Sequence, residues 1–111
     1  MINMQIENMQ ESASDAAELL LAMANPHRLM ILCHLFKGEN SVTELIEQVG
    51  LSQSALSQQL AKLRAMKLVQ TRRDGRTIYY RLASGDIEKV LETLYGIYCE
   101  PKEAPDSDTH A

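Results

Sequence analysis

SVTELIEQVGLSQSALSQQLAKLR, running from Ser41 to Arg64, is the stretch whose reading decides the fold. It opens with Ser41-Val-Thr-Glu44, a capping box in which serine and glutamate satisfy each other's orphan backbone donors. Val42, Leu45, Ile46 and Val49 follow at i, i+3, i+4 and i+7, the spacing of a half-buried helix, and Gly50 supplies a left-handed stop. Only Leu51 intervenes before Ser52, a second N-cap, and a helix whose Leu56, Leu60 and Leu63 share one side. Two helices so closely joined have helix-turn-helix spacing. Opposite the leucines lie Gln53, Ser54, Ser57, Gln58, Ala61 and Lys62, a face that is polar without being acidic. Glutamine can pair with adenine in a major groove, serine can reach bases or phosphates, and lysine suits phosphate. A solvated surface can have the same composition. The capped helix before it and the basic segment after it favour a recognition helix.

Downstream of Leu68, two short segments flank Asp74-Gly75, a dipeptide suited to a two-residue hairpin whose central residues both take positive φ. In the second segment Ile78, Tyr80 and Leu82 alternate with Thr77, Tyr79 and Arg81, as in a ribbon packed on one side. Arg72, Arg73 and Arg76 surround the tip, where they could straddle a phosphate backbone or enter a minor groove. Arginine at a tip also protects a sheet edge. Asp74 would repel phosphate and is assigned no contact. A last helix is expected from about Asp86 to Cys99, with Ile87, Val90, Leu91, Leu94 and Tyr98 forming its apolar stripe. Pro101 ends it, and the acidic tail 101–111 is expected to be disordered.

Upstream, Asn25-Pro26 places an N-cap before proline at the first helical position. The resulting helix should run to Lys37 and stop at Gly38, with Leu29, Leu32 and Phe36 as its core stripe. A first helix is expected from Ser12 to Ala24, after a flexible N-terminus over 1–11. Leu20, Leu21 and Met23 make it apolar on several sides, so it needs a partner surface. The predicted class is mainly α with a small β-hairpin, a winged helix-turn-helix of order α-α-α-α-β-β-α, with its domain over 12–100.

The net charge of -4 argues against a nucleic-acid partner until its distribution is considered. Ser52 to Leu82 carries seven basic residues, Lys62, Arg64, Lys67, Arg72, Arg73, Arg76 and Arg81, against Asp74 alone. That segment is therefore +6 and the remainder -10. One positive face for phosphates, with acidic elements held away, fits this segregation, although an ordinary solvated surface is an alternative. No phosphate loop, close catalytic constellation or metal-hydrolase motif is present, which argues against an enzyme. No apolar run approaches membrane-spanning length and Met1 to Ser14 lacks signal-peptide features, so a cytoplasmic protein is expected. There Cys33 and Cys99 should not form a permanent disulfide. They are either small buried residues or reactive thiols.

Ala24-Asn-Pro-His-Arg-Leu-Met-Ile-Leu32, Val42-Thr-Glu-Leu45, the segment Leu51 to Arg64, Leu68-Val69 and Asp74-Gly-Arg-Thr-Ile-Tyr-Tyr80 together resemble the ArsR/SmtB repressors. The resemblance covers about residues 15 to 99. It implies a homodimer joined through the first and last helices, two recognition helices in successive major grooves of a palindromic operator, and release upon sensing an effector.

Members of this family differ in what they sense. The third-helix metal site uses a Cys-x-Cys-type motif, absent from Ser41 to Glu47, and the last-helix site needs histidines that Asp86 and Glu88 lack as partners. His27, His34 and His110 could join Cys33 or Cys99 only across a dimer, so no metal and no cofactor are assigned. Cys33 and Cys99 resemble, in element and separation, the paired cysteines of the persulfide-sensing branch, the BigR, SqrR and YgaV type. The resemblance implies a repressor that binds DNA when reduced and leaves it when reactive sulfur links these cysteines. A general thiol-oxidation sensor, a metal-responsive regulator and an anti-repressor are the alternatives on the same scaffold.

Overall fold

Three local signals in the chain produce the caps that delimit its central helices. In the computed structural model, which describes residues 3–99, Asn25 Oδ1 accepts from the Arg28 backbone at 3.0 Å and starts α2 (Pro26–Phe36). The capping box is fully formed: Ser41 N–H donates to Glu44 Oε1 at 2.8 Å, and Glu44 N–H donates to Ser41 Oγ at 3.1 Å. It opens α3 (Val42–Val49), which ends at Gly50 with φ +74. Ser52 Oγ then accepts from Ala55 at 3.1 Å and starts α4 (Gln53–Ala65). Around this unit lie α1 (Ile6–Met23), β1 (Asn40–Ser41), β2 (Val69–Asp74), β3 (Thr77–Leu82) and α5 (Gly85–Tyr98). The elements make a winged helix-turn-helix.

α2 is the hub, packing against α1, α3, α4, α5 and β3. Its Ile31, Leu32 and Leu35 join Leu45 of α3, Leu56, Leu60 and Leu63 of α4, and Ile87 and Leu91 of α5 in one buried cluster. Each such side chain contributes about 1.5–3 kcal/mol by leaving water. Among the described residues no single helix is long and apolar enough to cross a membrane.

Several expectations need correction. α1 begins at Ile6 rather than Ser12, so residues 6–11 of the segment expected to be flexible are helical. Ser12 and Asp15 cap nothing: the preceding Glu, Met and Gln residues favour helix, and nothing there breaks it. Phe36 is 39% exposed, and the core face of α2 is centred on Ile31, Leu32 and Leu35. Elements cover α2 from more than one side, so adjacent positions are buried and a simple i, i+3, i+7 stripe misplaces its edge. Tyr98 is 79% exposed because the last turn of α5, with Tyr95, Ile97 and Cys99, lies uncovered. The expected tail over 101–111, like the end of the proposed domain at residue 100, lies outside the described residues.

The hairpin is present, but its turn is displaced by one residue. Asp74 pairs with Thr77, which leaves Gly75-Arg76 as the central pair. Gly75 alone has positive φ there, +66, as in II′-type turns that take glycine first. The sheet also has a third strand, absent from the sequence reading. β1 pairs antiparallel with β3, Asn40 opposite Tyr80 and Ser41 opposite Tyr79, giving the order β1-β3-β2. Two residues are too few to show an alternating pattern.

α4 ends in a Schellman motif, with Leu68 N–H donating to Leu63 C=O at 2.9 Å and Lys67 N–H to Arg64 C=O at 3.0 Å. Lys67 occupies the left-handed position, φ +64, where a Cβ crowds the backbone. Its side chain is exposed. Lys67→Gly should therefore stabilise the fold by about 0.5–1 kcal/mol, the relief of left-handed strain exceeding the added freedom of the unfolded chain. Denaturant melts of the two proteins check this; an equal or lower midpoint for the variant would show that the position carries no strain.

Candidate nucleic-acid interface and thiol pair

The capped turn between α3 and α4 sends the apolar side of α4 inward and its other side to solvent. Leu56, Leu60 and Leu63 are buried, whereas Gln53, Ser54, Ser57, Gln58, Ala61 and Lys62 are exposed. Every α4 residue proposed from sequence to meet DNA thus shares one accessible face. The next residue round the helix, Gln59, is half-buried and differently engaged. Arg28 Nη1 donates to its Oε1 at 3.3 Å, while Arg28 Nε donates to Ala22 C=O at 2.6 Å and Nη2 to Leu21 C=O at 3.4 Å. One guanidinium therefore satisfies carbonyls at the end of α1 and ties that helix to α4. The sequence reading assigned Arg28 no role; no pattern of spacing announces a side chain that reaches across 31 positions.

The wing's arginines are not equivalent. Arg73 and Arg76 are exposed and, among the described residues, free of ion pairs. Arg81 donates to Gln70 Oε1 at 3.0 and 3.3 Å, across a register pair. Arg72 is doubly held: its Nε and Nη2 grip Glu39 in the one ion pair among the described residues, and its Cζ lies 4.4 Å from the centroid of the Tyr79 ring. The guanidinium beside Glu39 holds that carboxyl below its ordinary range, chiefly through the hydrogen bonds. Glu39, too, was absent from the sequence reading, because the third strand that brings it to the wing was not foreseen.

Cys33 is half-buried on α2 and packs against the core, whereas Cys99 is exposed at the end of α5; both are free thiols. Burial pushes the Cys33 thiol up, and a charge on Cys99 pushes it up further. The second cause requires the two sulfurs to lie within electrostatic reach, so folding brings together cysteines 66 positions apart in sequence. No group of three or more His, Cys, Asp or Glu side chains among the described residues could hold a metal.

A polar helix face presented by a helix-turn-helix beside a basic wing defines a DNA-binding winged-helix regulator. Comparisons with known proteins give its family. Residues 25–71 match the model described as bacterial regulatory protein, arsR family. The nodulation protein NolR of Rhizobium meliloti is 54% identical over 94 residues, covering 85% of this chain and 77% of NolR. The transcriptional activator HlyU of Vibrio cholerae is 44% identical over 100 residues, 90% of this chain and 93% of HlyU. The crystal structure of the transcriptional repressor BigR from Xylella fastidiosa superposes with a TM-score of 0.84 at 42% identity, covering 88% of this chain and 100% of that one. The chain belongs to the ArsR family of transcriptional regulators, which are not enzymes.

The two causes acting on Cys33 give a test with a defined sign. Because its thiolate is disfavoured, Cys33 should react with iodoacetamide more slowly than Cys99 near neutral pH, its rate rising only above the ordinary thiol range. Cys99→Ser removes the repulsion and should shift the Cys33 profile to lower pH, while burial, the larger cause, remains. Peptide-resolved alkylation at several pH values measures both. A Cys33 profile unmoved by Cys99→Ser would place the two sulfurs out of reach of each other.

Proposed function

We propose that the chain is a homodimeric, operator-binding repressor whose grip on DNA is released when reactive sulfur links Cys33 to Cys99. Electrostatic reach between these two thiols, one on the hub helix and one on the last helix, is the observation that carries this reading. On DNA, Gln53, Ser54, Ser57 and Gln58 of α4 read base edges or neighbouring phosphates, Lys62 meets phosphate, and Arg73 and Arg76 of the wing contact the adjacent backbone or minor groove. Exposure of all seven side chains supports the assignment. Arg72, proposed from sequence as an eighth, stands apart because of its bond to Glu39.

The dimer reading is supported by apolar side chains left uncovered on α1 and α5. Ile6, Met9, Leu20 and Leu21 on the first helix, and Tyr95, Ile97 and Tyr98 on the last, are exposed, Leu21 to 72%. So much apolar surface on two elements of a small domain marks an interface. A second copy fits because operators of this kind are read as paired half-sites, one helical turn apart.

Exposure gives the two thiols different tasks. Cys99 thiolate takes the outer sulfur of a low-molecular-weight persulfide, releasing the parent thiol and becoming Cys99–S–SH. Cys33 then attacks the sulfur bonded to Cys99 and expels hydrosulfide, which closes a disulfide; a further sulfur transfer before closure leaves a trisulfide. The bridge fastens the last turn of α5 to α2, which packs against α3 and α4. A shift of α2 against α5 alters the separation of the two recognition helices, and DNA of fixed pitch no longer fits both.

Mass spectrometry and a mobility-shift assay on the same sample test this, using a duplex selected from a random pool by the reduced protein. A persulfide donor should weaken binding at least about tenfold, the span expected for a coupled pair of sites. Intact mass should show an internal bridge, with added sulfur where a trisulfide forms. Cys33→Ser and Cys99→Ser should each bind DNA and resist release. Equal release of both variants would contradict the proposal. Bridging without sulfur gain, under any oxidant, would instead indicate a general thiol-oxidation sensor.

A further inference from the structure

Glu39, Tyr79 and Arg72 lie in a row across the three-stranded sheet. Glu39 immediately precedes β1, Tyr79 sits on the central β3 opposite Ser41, and Arg72 on β2 is the register partner of Tyr79. Arg72 Nε lies 3.0 and 2.9 Å from the two Glu39 oxygens and Nη2 lies 2.8 Å from Oε1, a two-pronged grip that fixes direction as well as distance. Tyr79 supports the guanidinium from its ring face. The row therefore ties the segment entering α3 to the outer strand of the wing.

Strand alternation places this row away from the recognition helix. Tyr80, the neighbour of Tyr79, lines a shallow hollow with Ser57, Ala61 and Arg64 of α4. Tyr79 and its partner Arg72 point to the opposite side of the ribbon, while Arg73, paired with Ile78, shares the side of Tyr80. For Arg72 to reach a phosphate it would have to abandon the carboxylate and the ring. Glu39 would then be left unpaired beside a polyanion.

We propose that Arg72 does not contact DNA, and that Glu39, Tyr79 and Arg72 form a clamp that sets the angle of the wing relative to α4, so that Arg73 and Arg76 reach the duplex together with the recognition helix. The proposal rests on the DNA-binding reading above. It makes Glu39 a positioning residue whose negative charge favours binding of a polyanion by orienting the wing.

The sign of the Glu39→Gln effect separates the possibilities. Losing a negative charge strengthens DNA binding through the general field, so a weaker complex can only come from lost positioning. The duplex selected by the unaltered protein serves as probe, and hydrogen exchange of the β2 and β3 amides follows the wing in the absence of DNA. Glu39→Gln and Arg72→Gln should each weaken binding about 3- to 10-fold, and the double variant no further, as residues acting as a unit do. The slope of log K against log salt should be unchanged, since a lost phosphate contact would reduce it by about 0.9. Melting temperature should be unchanged, because exposed ion pairs add little to stability, while wing amides should exchange faster in both variants. Tighter binding by Glu39→Gln, or a salt slope reduced in Arg72→Gln, would overturn the clamp and make Arg72 a phosphate contact that Glu39 masks. If the unaltered protein selects no duplex, the DNA reading fails and hydrogen exchange alone decides the clamp: unchanged wing exchange in both variants rules it out.

Discussion

Exclusion of water from the space between α2 and the leucines of α3 and α4 is the constraint on which everything else rests. Leu45, Leu56, Leu60 and Leu63 meet Ile31, Leu32 and Leu35 there, and most of them are fully buried. A helix as polar as α4 has little reason to persist alone in water: its serines and glutamines are modest helix formers, and 13 residues lie near the length limit for isolated helices. Packing of three leucines gives it a fixed place, and that place leaves its Gln/Ser face outward. Recognition chemistry is thus a consequence of where the leucines are.

The same hub joins parts that would otherwise be independent. α2 carries Arg28, whose guanidinium binds the end of α1 and Gln59 of α4, and one and a half turns later it carries Cys33, within reach of Cys99 on α5. α1 and α5 hold the uncovered apolar side chains, and α4 holds the polar face. A covalent event at Cys33 therefore acts on the element shared by the surfaces proposed for dimerisation and for DNA. Close-packed interiors transmit such a displacement because they have few voids in which to absorb it.

Much of this was legible in the sequence because it is locally encoded. The capping box at Ser41, the stops at Gly50, the caps at Asn25 and Ser52 and the leucine spacing of α4 each rest on residues within a few positions of one another. What escaped was set by long-range geometry. β1 exists only because β3 pairs with it, and with that strand came Glu39 and its grip on Arg72, 33 positions away. The burial of Ile31 and Leu35 in place of Phe36 reflects which neighbours surround α2, information no single helix carries. Even the turn at Gly75-Arg76 was settled by strand register rather than by the Asp-Gly pair alone. The paired thiols stood out through family resemblance, and the structure supplies their mutual influence.

Salt dependence of binding by the reduced, unaltered protein tests the central claim most directly. Lys62, Arg73 and Arg76 in two copies neutralise about six phosphates, so the plot of log K against log salt should fall with a slope of about -5. Two chains should be bound per duplex. A slope near zero, or a single chain bound with no preference among duplexes, would contradict a paired, phosphate-anchored reading of DNA.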